Sequence, residues 1–167
     1  LLEDVTGKPF ADLMQALVLD KLGMANSTFE QPLPQAHIAR AATAHRRSGD
    51  PIPGRWHTYP ELAAAGLWTT PSDLARFAVE ILKSYAGESN AVLSVEMTRQ
   101  MLTPPPDGWY GFGFYNIETE GRMRFQHPGW NEGYHAFLGG DVSTGQDVAW
   151  TSNGENGILL GLEMLRG

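Results

Sequence analysis

Residues 126–137 read QHPGWNEGYHAF, and their reading decides what kind of protein this is. A His, a Pro-Gly pair and an Asn-Glu-Gly tip interrupt a stretch otherwise patterned like sheet. Alternation in the flanks calls for strands, and Gly133 is the residue that a tight turn between them requires. Pro128 has no N–H to give to a ladder, so its N–H side belongs at an unpaired edge. Gly129 carries no side chain, which leaves room for another backbone to lie against the strand. Three readings are open. In the first, the stretch is a hairpin with Trp130 and Tyr134 packed on its outside. In the second, His127, His135 and Glu132 hold a metal, although two histidines and one carboxylate without a fixed helical spacing are a weak ligand set. In the third, an edge strand with a donor side chain and an open backbone is the wall of a cleft.

Working outward, the period of two extends on both sides. Residues 110–117 predict a strand, 118–121 a turn and 122–129 the returning strand. Residues 134–142 and 147–153 predict a second pair around a turn at 143–146, and 158–165 a closing helix. Connections this short imply antiparallel pairing. Upstream the period is helical. Phe10, Leu13, Met14, Leu17 and Val18 recur on one face after Pro9, and Gly23 stops that helix. Thr70-Pro71-Ser72-Asp73 predicts a capped helix start in which Asp73 reaches back as in a capping box. Leu74, Phe77, Ala78, Ile81, Leu82 and Tyr85 form its apolar stripe, and Gly87 its end. Ser94 caps a further helix with Met97 and Met101. Between these helices, residues 31–60 carry five prolines and four arginines and read as an irregular excursion, with a short helix or strand at 38–44.

The expected architecture is α+β: a helical region over 1–106 with a Pro/Arg-rich loop at 31–60, then antiparallel strands, three or four of them, and a C-terminal helix over 107–167. Both parts belong to one incomplete domain. Leu1, Leu2 and Val5 before Thr6-Gly7 read as the last turn of an apolar helix, which predicts a chain that starts inside a larger domain.

With 167 residues and a net charge of −7, the chain has the size for a real core and the wrong sign for general nucleic-acid binding. It contains no apolar run of the roughly 18 residues that a membrane span needs. It has no cysteine, which rules out disulfides and thiolate metal sites.

HPGWNEGYHAF resembles the third motif of the serine β-lactamase and penicillin-binding-protein-like hydrolases, in the branch of class C β-lactamases, D-aminopeptidases and esterases. That motif is Lys or His, a small residue and Gly, followed closely by Gly-aromatic; here it is His127, Pro128 and Gly129, then Gly133-Tyr134. LLEDVTGKPFADLMQALVLDKLGMANSTF resembles the family segment after its Tyr-x-Asn motif, and AAAGLWTTPSDLARF its helix start at Gly-Leu-x-Ser/Thr-x-x-Asp-Leu. FQHPGWNEGYHAFLGGDVSTGQDVAWTSNGENG resembles its last three strands. The three segments occur in the family's order. No Ser in residues 1–167 is followed by Lys at the third position, and no Tyr by Asn at the second.

The resemblance implies a partial β-lactamase/transpeptidase-like fold and a C-terminal fragment of a serine hydrolase of esterase, amidase or D-peptidase type, inactive alone. In the complete family fold a serine, activated by lysine and tyrosine, attacks a carbonyl, and two backbone N–H groups hold the oxyanion. The implied catalytic set here is His127, Gly129 and the backbone N–H of Trp130; the implied substrate-binding set is Pro128, Asn131 and Tyr134. His127 replaces the more usual lysine, and an imidazole is mostly neutral near pH 7 where a lysine is charged. Pro128 replaces a hydroxyl residue that often binds the β-lactam carboxylate. Both departures point away from a true β-lactamase. The arginines of 31–60 would lie near the cleft and meet an acidic substrate group. No cofactor and no metal are implied. The partners implied are the missing N-terminal half of the fold, a small ester, amide or peptide substrate when complete, and a second copy through oligomerisation or strand exchange; no nucleic acid or membrane is expected. The resemblance points to a bacterial protein, exported to the periplasm or cytoplasmic. The alternative is a non-catalytic module that binds a peptide or protein on the exposed strand edge.

Overall fold

The computed structural model describes residues 1–119 and 121–164. Helix α1, Leu2–Thr6, ends at Gly7, whose φ of 67° is the left-handed cap that the Thr-Gly pair predicts. Helix α2, Phe10–Met14, runs into a π-helical turn at Gln15–Leu19 and then α3, Asp20–Leu22. The wide turn shifts the phase of the buried face. Leu13 and Leu19 are buried, whereas Leu17 of the expected 3.6-residue stripe is 52% exposed. The short element expected at 38–44 is instead helix α4, Gln35–Ile38, which starts where Pro34 presets the backbone. Helix α5 is Leu62–Ala65.

Helix α6, Pro71–Ala86, is the central helix. Thr70 Oγ1 accepts from the Asp73 N–H, Pro71 occupies the first turn, and Gly87 closes the end at φ 85°. Asp73 does not reach back as a capping box. Its buried carboxylate instead accepts from Asn26 N and Ser27 Oγ, both at 2.9 Å, and so ties the 26–28 loop to the start of α6. Helix α7, Val95–Met101, carries the expected Ser94 cap.

The sheet has the order β1-β2-β3-β4, all antiparallel neighbours. Its strands are β1 Tyr115–Thr119, β2 Arg122–Asn131, β3 Tyr134–Asp141 and β4 Gln146–Ser152. The first strand starts later than the alternation from Tyr110 predicts. Gly113 takes φ 91°, which breaks the extended run, and Tyr110 only bridges to Tyr115. The expected 118–121 turn includes Glu120, and the expected end of the last helix is Leu165; both lie outside the described residues. Helix α8 is Gly157–Met164.

One sheet face packs on α6. Ala78, Ile81 and Leu82 from the helix meet Phe125 and Leu138 from the sheet, with Leu102 and Phe114 completing the cluster. Phe125 is fully buried. The other face packs on α8, with Phe137 and Trp150 stacked at 6.3 Å between ring centres.

Candidate functional site

The β2–β3 register places each residue of the HPGWNEGY stretch. His127 pairs with Leu138, Pro128 with Phe137, Gly129 with Ala136, Trp130 with His135 and Asn131 with Tyr134. Strand side chains alternate between faces, so His127 shares the α6 face with Phe125 and Leu138. Trp130 and His135 lie on the α8 face, where their rings stack at 5.6 Å and 21°. His127 and His135 therefore point to opposite sides of the sheet. They do not form one ligand set, and among the described residues no group of three or more potential ligands comes together.

The pairing stops on one side. Strand β1 reaches only as far as Tyr115 opposite Gln126, so residues 127–131 pair with β3 alone among the described residues. Backbone direction alternates along an antiparallel strand, and one bond fixes its phase: Val142 N donates to Met123 O at 3.0 Å. Residues of the same parity as Met123, including His127, Gly129 and Asn131, turn their N–H and C=O towards β3. Pro128 and Trp130 turn theirs outwards. Pro128 thus removes only an outward donor and leaves the ladder intact, while Trp130 offers its N–H at the open edge. The Trp130 side chain is 78% exposed.

Two tyrosines flank His127. The Tyr110 ring lies 6.3 Å away and the Tyr115 ring 6.2 Å, and the tyrosines meet edge to face at 4.8 Å. At the other end, Asn131 Nδ2 donates to Ala65 O at 3.1 Å. The Tyr134 hydroxyl donates to Ala42 O at 2.6 Å, and burial pushes its phenol up to about 12, more than the nearby Arg55 charge lowers it. A Cβ on Gly129 would stand 3.2 Å from that of Ala136, so the glycine keeps β2 and β3 close here.

The basic segment is near this edge, but its charges have partners inside the molecule. Arg46 Nη2 lies 2.8 Å from Glu132 Oε1, and His57 Nε2 lies 2.6 Å from Glu132 Oε2. Arg55 donates to Thr43 Oγ1 and to the carbonyls of Ile38 and Ala41, and its guanidinium sits 4.3 Å above the Trp56 ring. Arg40 reaches Asn26 Oδ1 and the His37 ring. Of these three arginines only Arg46 meets a carboxylate; Arg40 and Arg55 are held by neutral groups. Composition shows only Asp50 beside them; Glu132 is some 80 residues away in sequence and reaches them only through the fold.

The family model for Beta-lactamase matches residues 1–163. A comparison with the sequences of curated proteins returned no match. Among solved structures, the octameric penicillin-binding protein homologue from Pyrococcus abyssi superposes with a TM-score of 0.69 at 22% identity over 92% of this chain. The D-amino acid amidase from Ochrobactrum anthropi gives 0.66 at 22% over 93%, and the penicillin binding protein from Bacillus halodurans 0.71 at 20% over 98%. At these identities the likeness is one of fold. The chain spans 36%, 49% and 51% of those three structures. Its helices and four-stranded sheet are part of the fold that they share, and the family model runs through nearly every residue. The chain belongs to the Beta-lactamase family.

Proposed function

We propose that this chain is the C-terminal wall of a serine hydrolase of esterase, amidase or D-peptidase type, inactive without a nucleophile supplied from outside residues 1–167. One observation carries the reading: among the described residues β2 is open on one side at 127–131, and Trp130 turns its backbone N–H to that side. In the reaction, the serine hydroxyl of the upstream half gives its proton to the neighbouring lysine–tyrosine pair as its oxygen bonds to the substrate carbonyl carbon. The carbonyl oxygen gains the negative charge and is held by the Trp130 N–H and a second donor near the serine. The ester C–O or amide C–N bond then breaks, and the leaving group departs with the serine's proton. His127, on the α6 face of the same edge, donates a hydrogen bond to the substrate or passes the proton to the leaving group. Gly129 and Pro128 keep the edge low and free of a competing donor, and Asn131 and Tyr134 bound its far end.

The test has two steps. The 167-residue chain is treated separately with a serine-reactive phosphonate and with penicillin, and its intact mass is read. No adduct is expected; one stoichiometric adduct would place a nucleophile within these residues. The chain is then joined to an upstream half that carries Ser-x-x-Lys, and ester and amide turnover is measured for Trp130→Pro and Trp130→Ala. Proline removes the outward N–H and nothing from the ladder, so it should cost on the order of 10²–10³ in kcat. Alanine keeps the N–H and should cost far less. Equal rates for the two variants would sink the oxyanion role. The same open edge suits a peptide-binding module, which predicts peptide binding and no turnover from the joined chain.

A further inference from the structure

The two-residue tip of the β2–β3 hairpin is held from outside by several partners. Glu132 spends both carboxylate oxygens on Arg46 and His57, and its N–H donates to the Tyr59 hydroxyl at 3.2 Å. Gly133 O accepts from His45 N at 3.4 Å, and on either side Tyr134 and Asn131 bond to Ala42 O and Ala65 O. A turn needs none of this to form: Gly133 at φ 78° is sufficient. Loop tips are ordinarily where a fold is most mobile.

We infer that the segment from Ala42 to Tyr59 is a clamp that positions the outward edge of β2, with Tyr59 and Glu132 as positioning residues for the Trp130 N–H. The inference rests on the hydrolase reading above. Its logic is one of magnitudes. The side chains of Arg46, His57 and Glu132 are 49%, 44% and 36% exposed, so the Arg46–Glu132 ion pair and the His57–Glu132 contact add little to global stability. An oxyanion donor, by contrast, must be held to within roughly 0.5 Å to be effective. Trp130 is two residues from Glu132; β3 holds its inner side, and among the described residues no strand pairs with its outer side, where the clamp adds the restraint at the hairpin tip.

The backbone order parameters of the ¹⁵N-labelled 167-residue chain test this, for wild type, Tyr59→Phe and Glu132→Gln. Wild type should be rigid at 130–133, near about 0.85, and the variants should fall there towards about 0.6 while Phe125, Leu138 and Trp150 stay unchanged. In the chain joined to its upstream half, the same variants should lose about tenfold in kcat with KM unchanged, as for a group felt only in the transition state. Unchanged order parameters at 130–133 in both variants overturn the clamp. So does a loss of order spread through the whole sheet, which would mark a general structural role. A joined wild-type chain with no turnover overturns the hydrolase reading and the catalytic purpose of the clamp together; the order parameters tell that failure from failure of the clamp itself.

Discussion

Gly133 and Ala44 meet almost backbone to backbone: a Cβ built on Gly133 would stand 2.6 Å from the Ala44 Cβ and 2.9 Å from His45 N. The glycine that turns the hairpin is thus also the point where the 42–59 segment docks on it. Its φ of 78° is costly for any other residue, and its surroundings leave no room for one.

Gly133→Ala should therefore lose about 2 kcal/mol or more in urea denaturation, combining left-handed strain with overpacking. Gly49 is the control, with φ 91° and nothing within 4 Å of a built Cβ. Gly49→Ala should show only the conformational cost, about 1 kcal/mol. Equal losses would mean that the Ala44 contact gives way freely.

Tyr134 carries an alkaline signature. Burial raises its phenol from 10.0 to about 12, so folded and unfolded chains both keep the proton below pH 10. From there to about pH 12 the unfolded chain ionises first and stability falls. Tyr134→Phe should lose about 1 kcal/mol at neutral pH through the missing bond to Ala42 O. It should also lack this alkaline loss. A wild-type denaturation midpoint that stays flat across the window would count against the burial of this hydroxyl.

Asp141 carries the acid counterpart. Burial alone would raise its carboxyl, but the hydrogen bond from Arg124, the Ser143 and Thr144 N–H groups and the Arg122 charge hold it below its usual 3.8. The stabilisation is present above that value and is lost as pH falls through the lowered one. Asp141→Asn should be destabilised by about 1–2 kcal/mol at pH 7, with the gap to wild type closing below pH 3.8. A gap independent of pH would mean that charge has no part in it.

Asp73 should matter more than the cap beside it. Thr70→Ala removes one N-cap bond and should cost about 1 kcal/mol. Asp73→Ala leaves Asn26 N and Ser27 Oγ without their acceptor and should cost about 2 kcal/mol. Thermal unfolding of the two variants ranks them; the reverse order would mean that the 26–28 loop finds other partners.

Much of this architecture is readable along the chain because it depends on near neighbours. The start and stop of α6 follow from Thr70, Pro71 and Gly87, and its buried stripe from the 3.6-residue period. The β2–β3 hairpin follows from alternation around Gly133, and the outward backbone of Pro128 from the proline itself. Where near neighbours conflict, the reading slips: the π turn at Gln15–Leu19 moved burial from Leu17 to Leu19, and Gly113 delayed β1.

By itself the sequence determined the order of the main helices and strands, the turn at Gly133, and the lack of any Ser-x-x-Lys in residues 1–167, all of which rest on spacings of a few residues; β2 runs on to Asn131, two residues past the expected end, and so shortens the turn to Glu132-Gly133. Only the tertiary structure decided which partners the basic segment takes. Arg46 and His57 find Glu132, and Asp73 finds Asn26, across separations that no local period encodes. Such pairs form because the docking of the 42–59 segment on the hairpin tip, and of the 26–28 loop on the start of α6, brings distant polar groups into reach. Once there, a buried or half-buried charge takes the partner that geometry supplies.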